Sequence, residues 1–131
     1  VIKEPIKVEI EKGFVTKIEG GREAKRLARY LDFAEKKPFE MMKKGELDKP
    51  KAEEYSKNAR NIGELGIGTN PNAEIVGNVL EDEKVLGTVH FAIGSNYDQD
   101  ASALIHSDGI VTNPTVTVDA KTIMKQGKIQ L

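Results

Sequence analysis

Apolar and polar positions alternate with a period of two over residues 6–10, where Ile6, Val8 and Ile10 interleave with Lys7 and Glu9, and more loosely from Phe14 to Ile18. Alternation of this kind is the mark of a strand with one buried face, and Lys12-Gly13 between the two runs predicts a hairpin turn. After Gly20-Gly21 the period changes. Ala24, Leu27, Ala28, Leu31 and Ala34 recur at spacings of three and four, which predicts an amphipathic helix over 22–36 with a basic polar face. Pro38 and Pro50 bracket a second helical stretch, Phe39 to Lys44, closed by Gly45, and a third short helix is predicted from Lys51 to Lys57.

At Asn58 helix formers give way to Gly, Asn, Thr and β-branched residues, with Gly63, Gly66, Gly68 and Gly77 in close succession. Thr88 to Ile93 reads as a buried strand, entered by Gly87 and left by Gly94-Ser95-Asn96. Gly109–Thr112, Thr115–Val118 and Lys128–Leu131 read as further strands, with turns at Asn113-Pro114 and near Gly127. No internal repeat or low-complexity linker interrupts the chain. The pattern predicts a single α+β domain over residues 1–131: an N-terminal β-hairpin, a helical middle and a β-rich C-terminal half.

Composition narrows the functional classes. A chain of 131 residues, 38% hydrophobic and 31% charged, has the make-up of a soluble globular domain able to bury one core. Its net charge of −1 and its lack of long like-charge runs argue against a nucleic-acid or membrane-surface binder. The apolar runs are too short for a transmembrane helix or a signal peptide. The absence of cysteine excludes disulfides, thiolate zinc sites, iron–sulfur clusters and cysteine nucleophiles, and it fits a reducing cytoplasm. Val1 stands where an initiator Met would be, so the chain reads as processed, trimmed or cut from something longer.

The average charge hides an asymmetry. Residues 1–60 hold 16 Lys and Arg against 12 Asp and Glu, whereas residues 61–131 hold 4 against 9 together with both histidines. Carboxylates in excess beside imidazoles are what a divalent-metal site needs, and also what a solvated acidic face looks like. The informative residues are Glu64, Glu83, His90, Tyr97, His106 and Asp108. Alternation places His90 with Thr88 and Ala92 on one face of its strand; a lone histidine there is more often a hydrogen-bonded structural residue than a ligand. His106-Ser107-Asp108 is a different signal. Residues two apart in an extended segment point the same way, so imidazole and carboxylate converge as a pair of metal ligands would. Glu64 interrupts the glycine-rich run 61–68, where glycines allow sharp turns and close backbone approach. A phosphate cradle does not fit, because no Lys follows the glycines and Glu64 would repel the anion. Glu81-Asp82-Glu83 is most simply the N-terminus of a short helix, complementing its dipole.

Gly87-Thr88-Val89-His90-Phe91-Ala92-Ile93-Gly94, taken with Arg60 to Asn70 upstream, with Asn78 to Lys84, and with Tyr97 and Ile105-His106-Ser107-Asp108-Gly109 downstream, resembles the C-terminal part of the thermophilic M29 metallo-aminopeptidases, of the archaeal leucyl aminopeptidase type. The resemblance covers residues 58–119. It implies that Glu64, His90, His106 and Asp108 bind divalent metal (zinc, cobalt, manganese or magnesium), that Tyr97 assists the transition state, that peptide N-termini are the substrates, and that the protein forms a homodimer. Glu83 matches a recurrent position without a carried-over role. The family's upstream segment, with two further glutamates, would precede Val1, so the chain is expected to be the metal-binding part of an incomplete hydrolase. The rival expectation is a non-enzymatic metal-binding or assembly module; a weaker one is a small-ligand domain using the glycine-rich loop.

Overall fold

In the computed structural model, which describes residues 2–130, the elements follow in the order β1 (Ile6–Glu11), β2 (Phe14–Gly20), α1 (Arg22–Lys43), α2 (Lys49–Asn58), β3 (Ile62–Ile67), α3 (Val79–Asp82), β4 (Thr88–Gly94), β5 (His106–Thr112), β6 (Val116–Val118), β7 (Lys121–Lys125) and β8 (Lys128–Ile129). The fold is α+β, as the hydrophobic pattern predicts. The strands form a β1-β2 hairpin, a sheet in the order β3-β4-β5, and an antiparallel sheet in the order β6-β7-β8. The chain divides into two compact units, residues 1–63 with 93–107, and residues 64–92 with 108–131. Val1 and Leu131, including the last position of the strand expected over Lys128–Leu131, lie outside the described residues.

In the first unit, β1 and β2 pair antiparallel with Val8 opposite Ile18 and an irregularity between Glu9 and Ile10. The two-residue loop Lys12-Gly13 has both φ angles positive, at 52° and 83°, which matches the right-handed twist of the flanking strands. The helix expected to stop before Pro38 instead runs unbroken to Lys43, with Pro38 inside it. An interior proline costs about 3 kcal/mol through its missing N–H and its clash with the preceding turn. Here the ring is fully buried and continues the stripe of Ala24, Leu31 and Ala34, so burial offsets the penalty. The predicted second stretch is therefore the end of α1. The third helix, α2, begins earlier than predicted, because Asp48 caps it by accepting from the Lys51 N–H at 2.9 Å and Pro50 occupies its first turn. Arg60 ties the chain after α2 to α1, with Nη2 2.6 Å from Asp32 Oδ1 and Nε 2.9 Å from Glu35 Oε2.

In the second unit the core is formed by Ala73, Thr88, Val89, Ala92 and Met124. The glycine-rich run expected to be a loop is strand β3 for most of its length. Gly63, Gly66 and Gly68 have no left-handed φ. They serve close approach rather than turning: a Cβ on Gly68 would lie 2.0 Å from the Val85 carbonyl oxygen. Strand β7 is absent from the sequence-based expectation. Its hairpin with β6 turns at Asp119-Ala120, again with both φ angles positive (48° and 64°), and its hairpin with β8 turns at Gln126-Gly127 (48° and 75°). Helix α3 starts two residues earlier than the acidic triplet suggests, capped by Asn78, which accepts from the Leu80 N–H at 3.1 Å. No helix among the described residues is long and apolar enough to cross a membrane.

Candidate metal centre

Strand β4 positions the central group. His90 sits on the opposite face from Val89 and Phe91, and its side chain is 13% exposed. The imidazole lies over Gly66 of β3: a Cβ there would meet Nε2 at 2.2 Å and Cε1 at 2.3 Å. Two residues earlier on β3, and on the same face, Glu64 brings Oε1 to 3.1 Å from His90 Nε2. Glu83, which follows α3, completes the group. One ligand atom from each of Glu64, Glu83 and His90 lies within 4.8 Å of the others. The Glu83 side chain is as enclosed as that of His90 and pairs with Lys84 Nζ.

The donor set fits a divalent cation on two observations. Two ligand atoms about 2.0–2.1 Å from one metal stand about 2.9–3.4 Å apart, and the Glu64–His90 separation falls in that span. In addition, His90 Nδ1 is buried with no hydrogen-bond partner among the described residues, so this imidazole is not the satisfied core histidine that a lone His in an apolar strand usually is.

Of the other expected residues, Asp108 on β5 belongs to the same unit and brings a carboxylate oxygen within 4.8 Å of Glu64. His106, the first residue of β5, belongs to the first unit, where Nδ1 lies 2.7 Å from the Ser95 carbonyl oxygen. Both are exposed on the same face of β5, as the spacing predicts, with Ser107 between them more enclosed. Tyr97 stands in the first unit on the loop after β4 and is 94% exposed.

Sequence reasoning gave the acidic triplet one role, but its members do different things. Asp82 is buried, and its carboxylate accepts from the Val76 N–H at 2.7 Å and from the Gly77 N–H at 3.1 Å. Glu83 joins His90. The only sequence signal for this split was the local triplet itself, which cannot show that the chain before α3 folds back onto it.

The family model for NicX, 2,5-dihydroxypyridine 5,6-dioxygenase, matches residues 1–131. The chain belongs to this family. Its fold is similar to that of the 2,5-dihydroxypyridine dioxygenase from Pseudomonas putida KT2440, with a TM-score of 0.65 and 24% identity over 98% of this chain. The match covers 35% of that protein, so the chain spans about a third of its length. No curated protein matches the sequence at a significant level.

The NicX match overturns the resemblance to M29 aminopeptidases, and with it the reading of a hydrolase that cleaves N-terminal peptide bonds. The physical reason is that the motifs carrying the resemblance specify imidazole and carboxylate donors on strands. Such donors suit Lewis-acid metals and redox metals alike, so they cannot tell hydrolysis from oxygen chemistry. The rival non-enzymatic module has no support either, since the matching family is named for an oxidoreductase activity.

Proposed function

We propose that this chain is the metal-binding part of a dioxygenase that opens a hydroxylated pyridine ring. The observation that carries the reading is a NicX family match over residues 1–131, within which His90, Glu64 and Glu83 are gathered. The proposed ligands are His90 and Glu64, with Glu83 and Asp108 adding carboxylates beside Glu64 in the same unit. Of the metals expected from the donor types, zinc and magnesium exchange no electrons. Imidazole with carboxylates suits non-haem iron(II), which does exchange electrons, and iron(II) is the metal proposed here.

Such an ion would supply one-electron exchange with dioxygen and a positive charge beside the ring's hydroxyl groups. The rest is the work of the chain. Glu64 lies close enough to hold a proton at His90 Nε2 when the metal is away, and Glu83 and Asp108 add the negative charge that retains a cation. The enclosure of His90 and Glu83 keeps their donor atoms away from bulk water, which strengthens their electrostatic hold on a cation. The 2,5-dihydroxypyridine of the family's description is the first substrate to test.

The test is oxygen uptake by the anaerobically iron(II)-loaded protein on addition of 2,5-dihydroxypyridine and air, followed with an oxygen electrode and by loss of the ring's ultraviolet absorption. One dioxygen consumed per ring lost, by iron-loaded and not by zinc-loaded protein, is expected. Failure to bind iron(II), or ring loss by zinc-loaded protein equal to that by iron-loaded protein, would refute the reading of this chain as the metal-binding part of a dioxygenase.

A further inference from the structure

We propose that Gly66 is a positioning residue: the missing side chain at this point of β3 seats the His90 imidazole beside Glu64 and Glu83. The inference rests on the reading of His90 as a metal ligand and adds a residue that touches no metal. A Cβ at Gly66 would lie 2.2 Å from Nε2, 2.3 Å from Cε1 and 3.2 Å from Cδ2, so one edge of the ring covers the place a side chain would fill. Backbone conformation does not explain the glycine, because its φ lies outside the left-handed region that favours glycine. In a strand interior glycine weakens the element, so alanine would be the better residue for the backbone alone. What remains is the space.

The ring has little room to withdraw. His90 is flanked on its own face by Thr88 and Ala92, both buried, and its Nδ1 side is closed off from solvent. An ordinary Cβ contact needs a separation near 3.4 Å or more, so a methyl group at Gly66 would push Nε2 by about an ångström. Ligand geometry tolerates about half an ångström of error. The push would carry Nε2 out of its 3.1 Å relation with Glu64.

Strand β5 provides a control. Gly109 stands in the same relation to Phe91, where a Cβ would lie 2.4 Å from Cζ. Phe91 occupies the opposite face of β4 from His90. Gly109→Ala therefore forces a ring to move without touching the imidazole.

The experiment compares cobalt(II) binding by the wild type, Gly66→Ala and Gly109→Ala, read by calorimetry and by the visible absorption band of the bound ion. The His90 imidazole nitrogen resonances are followed in the metal-free proteins. Gly66→Ala is expected to weaken cobalt(II) binding about 10–100-fold, the loss usual when a ligand's support is removed, to change the absorption band and to shift the His90 resonances. Gly109→Ala is expected to bind within about twofold of wild type, since its clash lies away from the ligands. Should Gly66→Ala fail to fold, Gly66→Ala combined with His90→Ala decides: a folded double variant locates the clash at the imidazole as proposed, and an unfolded one overturns the proposal. Wild type that binds no cobalt(II) or iron(II) refutes the metal reading. Wild-type affinity and unchanged His90 resonances in Gly66→Ala refute the role of Gly66.

Discussion

Asp82→Ala tests whether the acidic triplet is local helix decoration or a tertiary lock. Asp82 is 7% exposed, and its carboxylate accepts from two backbone N–H groups, Val76 at 2.7 Å and Gly77 at 3.1 Å. Hydrogen bonds to a charged group contribute about 1.5–3 kcal/mol each. Truncation leaves both donors without a protein partner, but Val76 is 64% exposed, so water reaches its backbone once the carboxylate is gone. The expected net loss thus falls to or below the bottom of the two-bond sum, about 2–3 kcal/mol for the pair. With a urea slope of about 1.5 kcal/mol/M, the unfolding midpoint should fall by about 1.3–2 M. Asp82→Asn keeps one acceptor oxygen and loses the charge, so about half that loss is expected. Amide exchange adds a local readout: the Val76 and Gly77 protons should lose protection beyond the global change in Asp82→Ala. A helix-dipole role alone would cost less than about 1 kcal/mol and leave those two amides alone. A variant within about 0.5 kcal/mol of wild type, with Val76 and Gly77 protected as before, would refute the lock.

Leu31→Ala removes a fully buried side chain from α1 and should cost about 3 kcal/mol in urea unfolding, whereas loss below about 1 kcal/mol would mean the site collapses around the cavity. Ala120→Gly relieves a left-handed alanine (φ 64°) in the β6–β7 hairpin and should stabilise by about 0.5–1 kcal/mol; a destabilised variant would mean the loop has no strain to release. Glu19 should titrate below its ordinary value of 4.5, first through its contact with Lys17 and then through Lys7. Its folded pKa is lowered, so the associated stability is present above the ordinary carboxylate value and is lost as pH falls through the folded pKa. Carboxyl NMR checks this, and Lys17→Gln should move the Glu19 midpoint upward.

The N-terminal hairpin was legible because both its strands and its turn are local statements: alternation gives the faces, and Lys12-Gly13 supplies a glycine where φ is 83°. The β6–β7 hairpin has the same loop geometry and was missed. Asp119-Ala120 has a non-glycine residue at φ 64°, so the turn carries only the weaker signal of Asp119 and the second strand goes unannounced. Pro38 misled in the opposite sense, since its local cost is real but is outweighed by a burial that only the packed helix creates. At the candidate site, Glu64, His90, His106 and Asp108 could be picked out by donor type, Glu64 on an expected loop and the others on extended segments, and the pairing of Glu64 with His90 is seen at 3.1 Å. The metalloenzyme class could not be picked out, because hydrolases and oxygenases draw on the same imidazoles and carboxylates.

By itself, then, the sequence determined what depends on neighbours along the chain: the period-two and period-3.6 segments, the glycine-marked turn, the α+β order, and the absence of any thiolate chemistry. Tertiary structure decided what depends on residues far apart meeting. It put the ring of His90 into the space above Gly66, turned Glu83 toward Glu64 while Asp82 took the backbone of Val76, and made strands of a glycine run that reads as a loop. The physical reason is one of range. Propensity and alternation act over a few residues, whereas the approach of one strand to another is set by side-chain volume across the sheet, where a single hydrogen atom in place of a methyl group admits an imidazole.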